Sequence, residues 1–311
     1  MRLVFMGTPE YAVVSLRSLL AAGYPVLKVV TQPDRPRGRG KKPAPPPVKS
    51  FALENGLEVL QPDIIKDTAF IGELRRLAPD IIVVVAFGRI LPREILSLPP
   101  LGCVNVHASL LPKYRGAAPI HWAVMRGEKE TGVTTMYIDG GLDSGDMILQ
   151  ASCPIGEEET VGQVHDRLAE MGGKLLVQTL QKITEGTAPR IPQDDRLATY
   201  APMLKKEDEI IDWNRTAVEI KNHVRGMNPW PGARTTWEGR VLKIWRVEEV
   251  KGRFSGRPGT VICAGPKEGI MVQAGSGAVR LLEVQPAGGR PLDATAFLCG
   301  HCIKPGTVLG A

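Results

Sequence analysis

Ile81-Ile82-Val83-Val84-Val85 is a run of five β-branched apolar residues without one polar position to turn toward solvent. A strand wetted on one side alternates, whereas an unbroken run has both faces covered, as in parallel sheets flanked by helices. Working outward, Leu3 to Met6 reads as a first strand, Tyr11 to Ala22 as a helix and Val26 to Thr31 as a second strand. Cys103 to Val106 adds a short strand and Ala117 to Met125 another helix. Strands alternating with helices predict an α/β fold with an open, mostly parallel, Rossmann-like sheet, whose ligands gather at the carboxyl ends of its strands. A dinucleotide site is the first rival for such a sheet. The first turn carries Gly7 alone, however, without the Gly-x-Gly-x-x-Gly spacing that brings backbone against a pyrophosphate, and there is no P-loop sequence.

A chain of 311 residues is long enough for one large domain and a smaller one. The helical pattern from Thr160 to Ile183 gives way to Gly186, Pro189, Pro192 and Pro202 among polar residues. These breakers predict a first domain over 1–184, a linker over 185–209 and a second domain over 210–311. In the last, Thr216 to Val224 reads as a helix, and Arg240 to Val250, Gly259 to Ala264, Gly269 to Ala274 and Ala278 to Val284 as short strands between glycine-rich turns. The expectation is a small OB-like β-barrel of the kind used for oligonucleotides, although a small sandwich has the same periodicity.

Hydrophobic residues at 43% and charged residues at 23% describe an ordinary soluble protein. No stretch approaches the roughly 18 apolar residues of a membrane span, and Met1 to Pro9 reads as a strand and turn instead of a leader. No membrane partner is expected, and the chain is expected to act as a monomer. Five scattered cysteines are too few for a disulfide scaffold, which points to the reducing cytoplasm. Cys299-Gly300-His301-Cys302 invites a redox or a zinc reading. A reactive thiol needs a helix N-terminus and zinc needs further ligands, so a structural role is expected for the pair and no metal for the chain.

The formal charge of +6 is concentrated in two places. From Lys205 to Ala311 there are 16 Lys and Arg against 11 Asp and Glu, and from Asp34 to Lys49 there are six against one. Such asymmetry attracts polyanions. In the N-terminal stretch Arg35, Arg37, Arg39, Lys41 and Lys42 alternate with Pro33, Pro36, Gly38, Gly40 and Pro43. Proline and glycine prevent a helix, leaving a cationic loop that either follows a phosphate backbone or simply solubilises the surface.

The chemistry lies in Asn105-Val106-His107 and in Gly141-Leu142-Asp143-Ser144-Gly145-Asp146. Asn105 and His107, two apart on a strand, point to one face. An amide can donate to a carbonyl oxygen as charge develops there, and an imidazole can stabilise that oxygen or exchange protons with an attacking nucleophile. A carboxylate in a glycine-rich turn can orient the imidazole or take a proton. Taken singly, each residue is as readily a structural histidine, a strand-tying asparagine or an ordinary aspartate turn. A calcium loop is disfavoured, because this short segment lacks the ligand series and terminal glutamate.

Together these segments resemble the formyltransferases that use 10-formyltetrahydrofolate. Asn105 and His107 match that family's Asn-x-His element, and Asp143 the first aspartate of its Asp-x-Gly-Asp element. The resemblance implies a folate site lined by Phe87, Gly88, Ile90 and Leu91, which match the loop receiving the pterin ring, by Ser109, Leu110, Leu111 and Pro112, and by Arg115 and Gly116. Phe87 stands where the family commonly has tyrosine, and Ala108 where it commonly has glycine. Gln32-Pro33-Asp34-Arg35-Pro36, Gly38-Arg39-Gly40-Lys41-Lys42 and Pro47-Val48-Lys49 resemble the loop by which some members hold a tRNA acceptor stem. That implies contacts from Arg35, Arg37, Arg39, Lys41 and Lys42, with Arg39 entering at the stem end. Arg225-Gly226-Met227-Asn228-Pro229-Trp230-Pro231-Gly232 also resembles a family segment, in which Trp230 is expected to pack a junction. The implied reaction is formyl transfer from 10-formyltetrahydrofolate to the α-amine of methionyl initiator tRNA. A formyltransferase of small substrates, a folate hydrolase and a non-catalytic RNA-binding protein are the alternatives.

Overall fold

The computed structural model describes residues 1–37, 42–252 and 254–310, which form two compact units. The first comprises Met1–Pro119, Glu130–Cys153 and His165–Pro202; the second comprises Ile120–Lys129, Pro154–Val164 and Met203–Ala311.

In chain order the N-terminal half runs β1 (Leu3–Gly7), α1 (Glu10–Ala21), β2 (Val26–Val30), β3 (Arg35–Arg37), β4 (Lys42–Ala44), α2 (Pro47–Glu54), β5 (Val59–Leu60), α3 (Thr68–Leu77) and β6 (Ile81–Val85). It continues with α4 (Arg93–Leu96), β7 (Cys103–His107), α5 (Pro119–Met125), β8 (Glu130–Tyr137), β9 (Met147–Pro154) and α6 (Val161–Thr184). Seven strands form one sheet in the order β5-β2-β1-β6-β7-β8-β9, and β3 and β4 pair separately. From β5 through β7 every pairing is parallel, and β8 turns antiparallel to β7 with His107 opposite Thr134. All five residues of β1 and of β6 are buried. Val4, Met6, Ile82 and Val84 pack against Phe70, Ile71 and Leu74 of α3 and Ile95 of α4. On the other face a Cβ at Gly172 of α6 would meet Val106 at 3.1 Å, so this helix lies close on the sheet. The boundaries of α3 follow from its ends. The Asp67 carboxylate accepts from the Ala69 amide at 2.9 Å, Arg75 and Arg76 sit in the last turn, and Ala78 leaves in the left-handed region.

The second unit contains α7 (Ala217–Gly226), β10 (Ala233–Trp237), β11 (Arg240–Val250), β12 (Val261–Gly265), β13 (Gly269–Gln273), β14 (Ala278–Pro286), β15 (Leu292–Asp293) and α8 (Ala294–Leu298). Its strands form an antiparallel sheet in the order β10-β11-β14-β13-β12, with β15 added beside β14. Among the described residues no strand pairing joins β10 to β12, so the barrel expectation reduces to a six-stranded antiparallel sheet. Ile220 and Val224 of α7, Phe297 of α8, and Trp213, Ile244, Val272 and Leu281 make its core. The buried Trp213 indole donates to the Thr235 hydroxyl at 3.1 Å, as a buried N–H requires. Arg225 donates to the carbonyls of Gly156 and Glu159 at 3.1 and 3.0 Å, fastening the 154–164 segment to α7.

Trp230 departs from expectation. It is 42% exposed and meets His121 edge-on, while the fully buried residue of its turn is Met227. Burial at this junction is satisfied by the methionine, leaving the indole half in solvent. Cys299 and Cys302 are free, exposed thiols beyond the C-terminal end of α8.

His223 makes the second unit sensitive to acid. The Asp208 carbonyl can only accept, so His223 Nε2–H donates to it at 2.7 Å, and burial holds the ring's pKa below the ordinary 6.5. The unfolded chain therefore binds a proton that the folded chain resists, and stability is fully present above the unfolded value and lost as pH falls through the folded one. Melting temperature should drop as pH falls from about 8 to about 5, and His223→Gln should flatten that dependence. An unchanged pH slope in the variant would remove His223 as the cause.

Candidate active site

Three segments of the first unit converge beyond the carboxyl ends of the parallel strands, the side on which open α/β sheets hold ligands. The first is the end of β7. Cys103, Asn105 and His107 alternate onto one face, and burial pushes the Cys103 thiol up to about 12, so it is no nucleophile near neutral pH. Asn105 is half-buried, and its side chain makes no hydrogen bond among the described residues. His107 is 6% exposed. Its Nε2 lies 2.9 Å from the Tyr114 carbonyl oxygen, which only accepts, so Nε2 carries a hydrogen and Nδ1 is the nitrogen left for chemistry.

The second segment is the loop between β8 and β9, which brings Asp143. Its Oδ2 lies 3.6 Å from His107 Nδ1 and accepts the Gly116 amide at 2.8 Å. Oδ1 accepts no hydrogen bond among the described residues. A proton arriving at Nδ1 would thus be met by a carboxylate, and the ring and the acid form an ion pair whenever that nitrogen is protonated. Asp143 sits at φ 49°, the left-handed region that aspartate tolerates better than most residues.

The third is the stretch after His107, held by two unrelated sets of bonds. The buried Thr134 hydroxyl donates to the Ser109 carbonyl at 2.7 Å and accepts from the Leu111 amide at 3.1 Å. Gln150 donates to the Leu111 carbonyl at 2.8 Å and to that same hydroxyl at 3.0 Å. Further on, Tyr114 and Arg115 pair with the chain at Thr199 to Ala201, through the Arg115 amide on the Thr199 carbonyl and the Ala201 amide on the Arg115 carbonyl, both at 2.8 Å. Gly116 is obligatory there, since its φ is 121° and a Cβ would meet the Ala201 carbonyl oxygen at 2.7 Å.

The remaining expected site residues are distributed as follows. Phe87 is buried in the sheet core and Leu91 beside it, while Gly88 and Ile90 are exposed, Ile90 at 85%. The Phe87 carbonyl accepts from Thr8 and Gln32, but the amides of Phe87, Gly88, Arg89 and Ile90 donate to no group among the described residues. Ser109 is buried and donates to the Lys113 carbonyl at 2.7 Å; Leu110 and Pro112 are half-buried and Leu111 is buried. Arg115 is 4% exposed and turns its guanidinium to Gln193 and Asp195. Arg35 is exposed on β3. Arg39 and Lys41 lie outside the described residues, as do the side chains of Arg37 and Lys42. At the base of that loop Asp34 is gripped by Gln61 and Lys49, which hold its carboxyl below the usual carboxylate range. The sequence reading missed Thr134, Gln150, Gln193 and Thr199. Each is a polar residue whose partner is 16 to 85 positions away, and no local pattern announces such a pairing.

A family model described as formyl transferase matches residues 1–180, and one described as formyl transferase, C-terminal domain, matches residues 203–302. The chain belongs to the formyl transferase family. It is accordingly an enzyme, a one-carbon group transferase. It is 58% identical to the methionyl-tRNA formyltransferase of Moorella thermoacetica, covering 100% of this chain and 99% of that protein. With the methionyl-tRNA formyltransferase of Desulforamulus reducens it shares 55% identity over 100% of this chain and 98% of the relative. In fold it is similar to an N-formyltransferase from Helicobacter canadensis solved with folinic acid and dTDP-3-aminofucose, with a TM-score of 0.64, 20% identity, and coverage of 90% of this chain and 98% of that one.

The Thr134 hydroxyl joins three partners, so Thr134→Val, which keeps the shape and removes the hydroxyl, should leave the Leu111 amide unsatisfied. We expect a loss of about 1–3 kcal/mol in stability by denaturant unfolding. A variant as stable as the parent would show that the loop does not rely on this hydroxyl.

Proposed function

We propose that this chain transfers the formyl group of 10-formyltetrahydrofolate to the α-amine of methionyl initiator tRNA in the cytoplasm. The observation that carries the chemistry is the group of unspent polar atoms beside the carboxyl end of β7: the Asn105 amide, His107 Nδ1 and Asp143 Oδ1. The neutral amine attacks the formyl carbon and the carbonyl π electrons move to oxygen. Asn105 donates to that oxygen as it becomes anionic, a task for a donor that does not change its own protonation. The nitrogen of the former amine sheds a proton to Asp143, directly or through His107 Nδ1, where the carboxylate stabilises the imidazolium. The same proton then reaches N10 as the carbon–nitrogen bond to tetrahydrofolate breaks, so the net reaction consumes no proton. Positioning and preorganised donors suffice for these steps.

The donor substrate fits the loop after β6. The free amides of residues 87 to 90 suit a ring system rich in hydrogen-bonding atoms, with Ile90 as an apolar contact and Phe87 supporting the loop from the core. Leu91, Ser109 to Pro112, Arg115 and Gly116 complete the wall in this reading. The acceptor assignment draws support from the full-length likeness to methionyl-tRNA formyltransferases and from the cationic sequence carrying Arg35, Arg37, Arg39, Lys41 and Lys42. Such a sequence serves a polyanion better than a small amino sugar.

Single-turnover transfer to charged initiator tRNA, at saturating folate, tests this reading. Asn105→Ala and His107→Ala should each lower the rate by about 10²–10³-fold with tRNA binding retained. Undiminished transfer by both would sink the assignment, and formate release without transfer would favour a hydrolase. Changing Arg39, Lys41 and Lys42 together to alanine should weaken tRNA association and shallow its salt dependence by roughly one counterion per lost phosphate contact. An identical salt slope in the triple variant would refute the loop's role.

A further inference from the structure

The geometry points to Gln193 as a positioning residue that clamps the Asp143 loop in its reactive place, with Arg115 holding the clamp from behind. Gln193 Nε2 has two hydrogens and donates both, to the Asp143 and Gly145 carbonyls, each at 2.8 Å. Its Oε1 accepts twice from one guanidinium, Arg115 Nε at 3.0 Å and Nη2 at 2.8 Å. Four hydrogen bonds exhaust what a primary amide usually makes and leave it one orientation. Arg115 is 4% exposed and is tied in turn to the Asp195 carboxylate at 2.8 Å, so the chain of contacts runs from a buried cation to the two carbonyls flanking Ser144.

Those carbonyls need such a hold. Asp143 lies at φ 49°, and a Cβ on Gly145 would run into the Tyr137 carbonyl oxygen, so the loop takes a shape with little intrinsic preference. Ser144 is held by Asp139, and Asp146 by the Tyr137 amide, but the Asp143 and Gly145 carbonyls accept only from Gln193 among the described residues. The Gly116 amide steadies the carboxylate itself without fixing the backbone behind it. A shift of about 1 Å in a group that handles a reacting proton can cost roughly 10²-fold in rate. This inference rests on the proposed role of Asp143 and adds to it a residue from the proline-punctuated segment read as linker.

Gln193→Glu separates the two halves of the clamp. The carboxylate keeps, and strengthens, the partner of Arg115, while its second oxygen faces two carbonyl oxygens with no hydrogen to offer. In the full-length enzyme we expect kcat to fall by about 10²-fold. KM for both substrates should stay within about twofold and the melting temperature should be little changed. Gln193→Leu, which removes both halves at similar volume, is the second variant. In either case the loss should nearly vanish in an Asp143→Asn background, because residues acting through one group are not additive. A kcat within about twofold of the parent in both variants, or a loss that multiplies fully with Asp143→Asn, overturns the inference. If Asp143→Asn alone is fully active, the proposed reaction site fails; if it is inactive while the Gln193 variants turn over normally, only the clamp does.

Discussion

The hydrogen bond from the Gly116 amide to Asp143 Oδ2, at 2.8 Å, directly joins the two loops that carry the candidate site. One loop continues β7 and the other connects β8 to β9, and nothing in the sheet alone obliges them to meet. The bond forms because the chain after His107 doubles back, presenting the Tyr114 carbonyl to the imidazole and, two residues later, the Gly116 amide to the acid. The histidine's tautomer and the orientation of the aspartate's carboxylate are therefore set by one turn of backbone. That turn tolerates only glycine at 116, since the neighbouring Ala201 carbonyl stands where a Cβ would go. Pairing of Arg115 with Thr199 and Ala201 brings that carbonyl close, so the segment after α6 shapes the site as much as the strand that delivers the histidine.

The parts legible in the sequence were those with local repetition. Five β-branched residues at 81–85 announce a strand buried on both faces, and β6 is that strand, paired in parallel on both sides. Asn105 and His107 share a face because of their two-residue spacing and β7 places them so. The site's supporting bonds were not legible. Thr134 to Ser109 and Gln193 to Asp143 link residues 25 and 50 positions apart, and nothing in either residue's neighbours points to its partner. Trp230 was misjudged for a related reason. Large aromatics usually bury, but burial in that turn is a competition, and Met227 occupies the interior. Closure of the C-terminal strands was equally beyond periodicity, which reports alternation within strands and nothing about which ends meet.

The same structure accounts for how charge is divided between attraction and chemistry. Six cations lie between residues 34 and 49, but Lys49 is spent on Asp34, the lone acid of the stretch, and with Gln61 it anchors the base of that stretch. Because the Asp34 pKa is lowered, this anchor is complete above the ordinary carboxylate pKa and weakens only as pH falls through the depressed value. Five cations remain beyond it, from Arg35 to Lys42. Their field on a polyanion fades over about 8 Å at physiological salt, which in the proposed reaction would suit them to collecting and aligning a tRNA. At the proposed reaction site, by contrast, the donors are a neutral amide and an imidazole beside a carboxylate. A free cation there would hold the amine's proton poorly and the tRNA phosphates too well. In the proposed reaction, keeping the strong charges within residues 35–42 and the weak, oriented donors at the strand ends would let recognition respond to salt while the bond-making step does not.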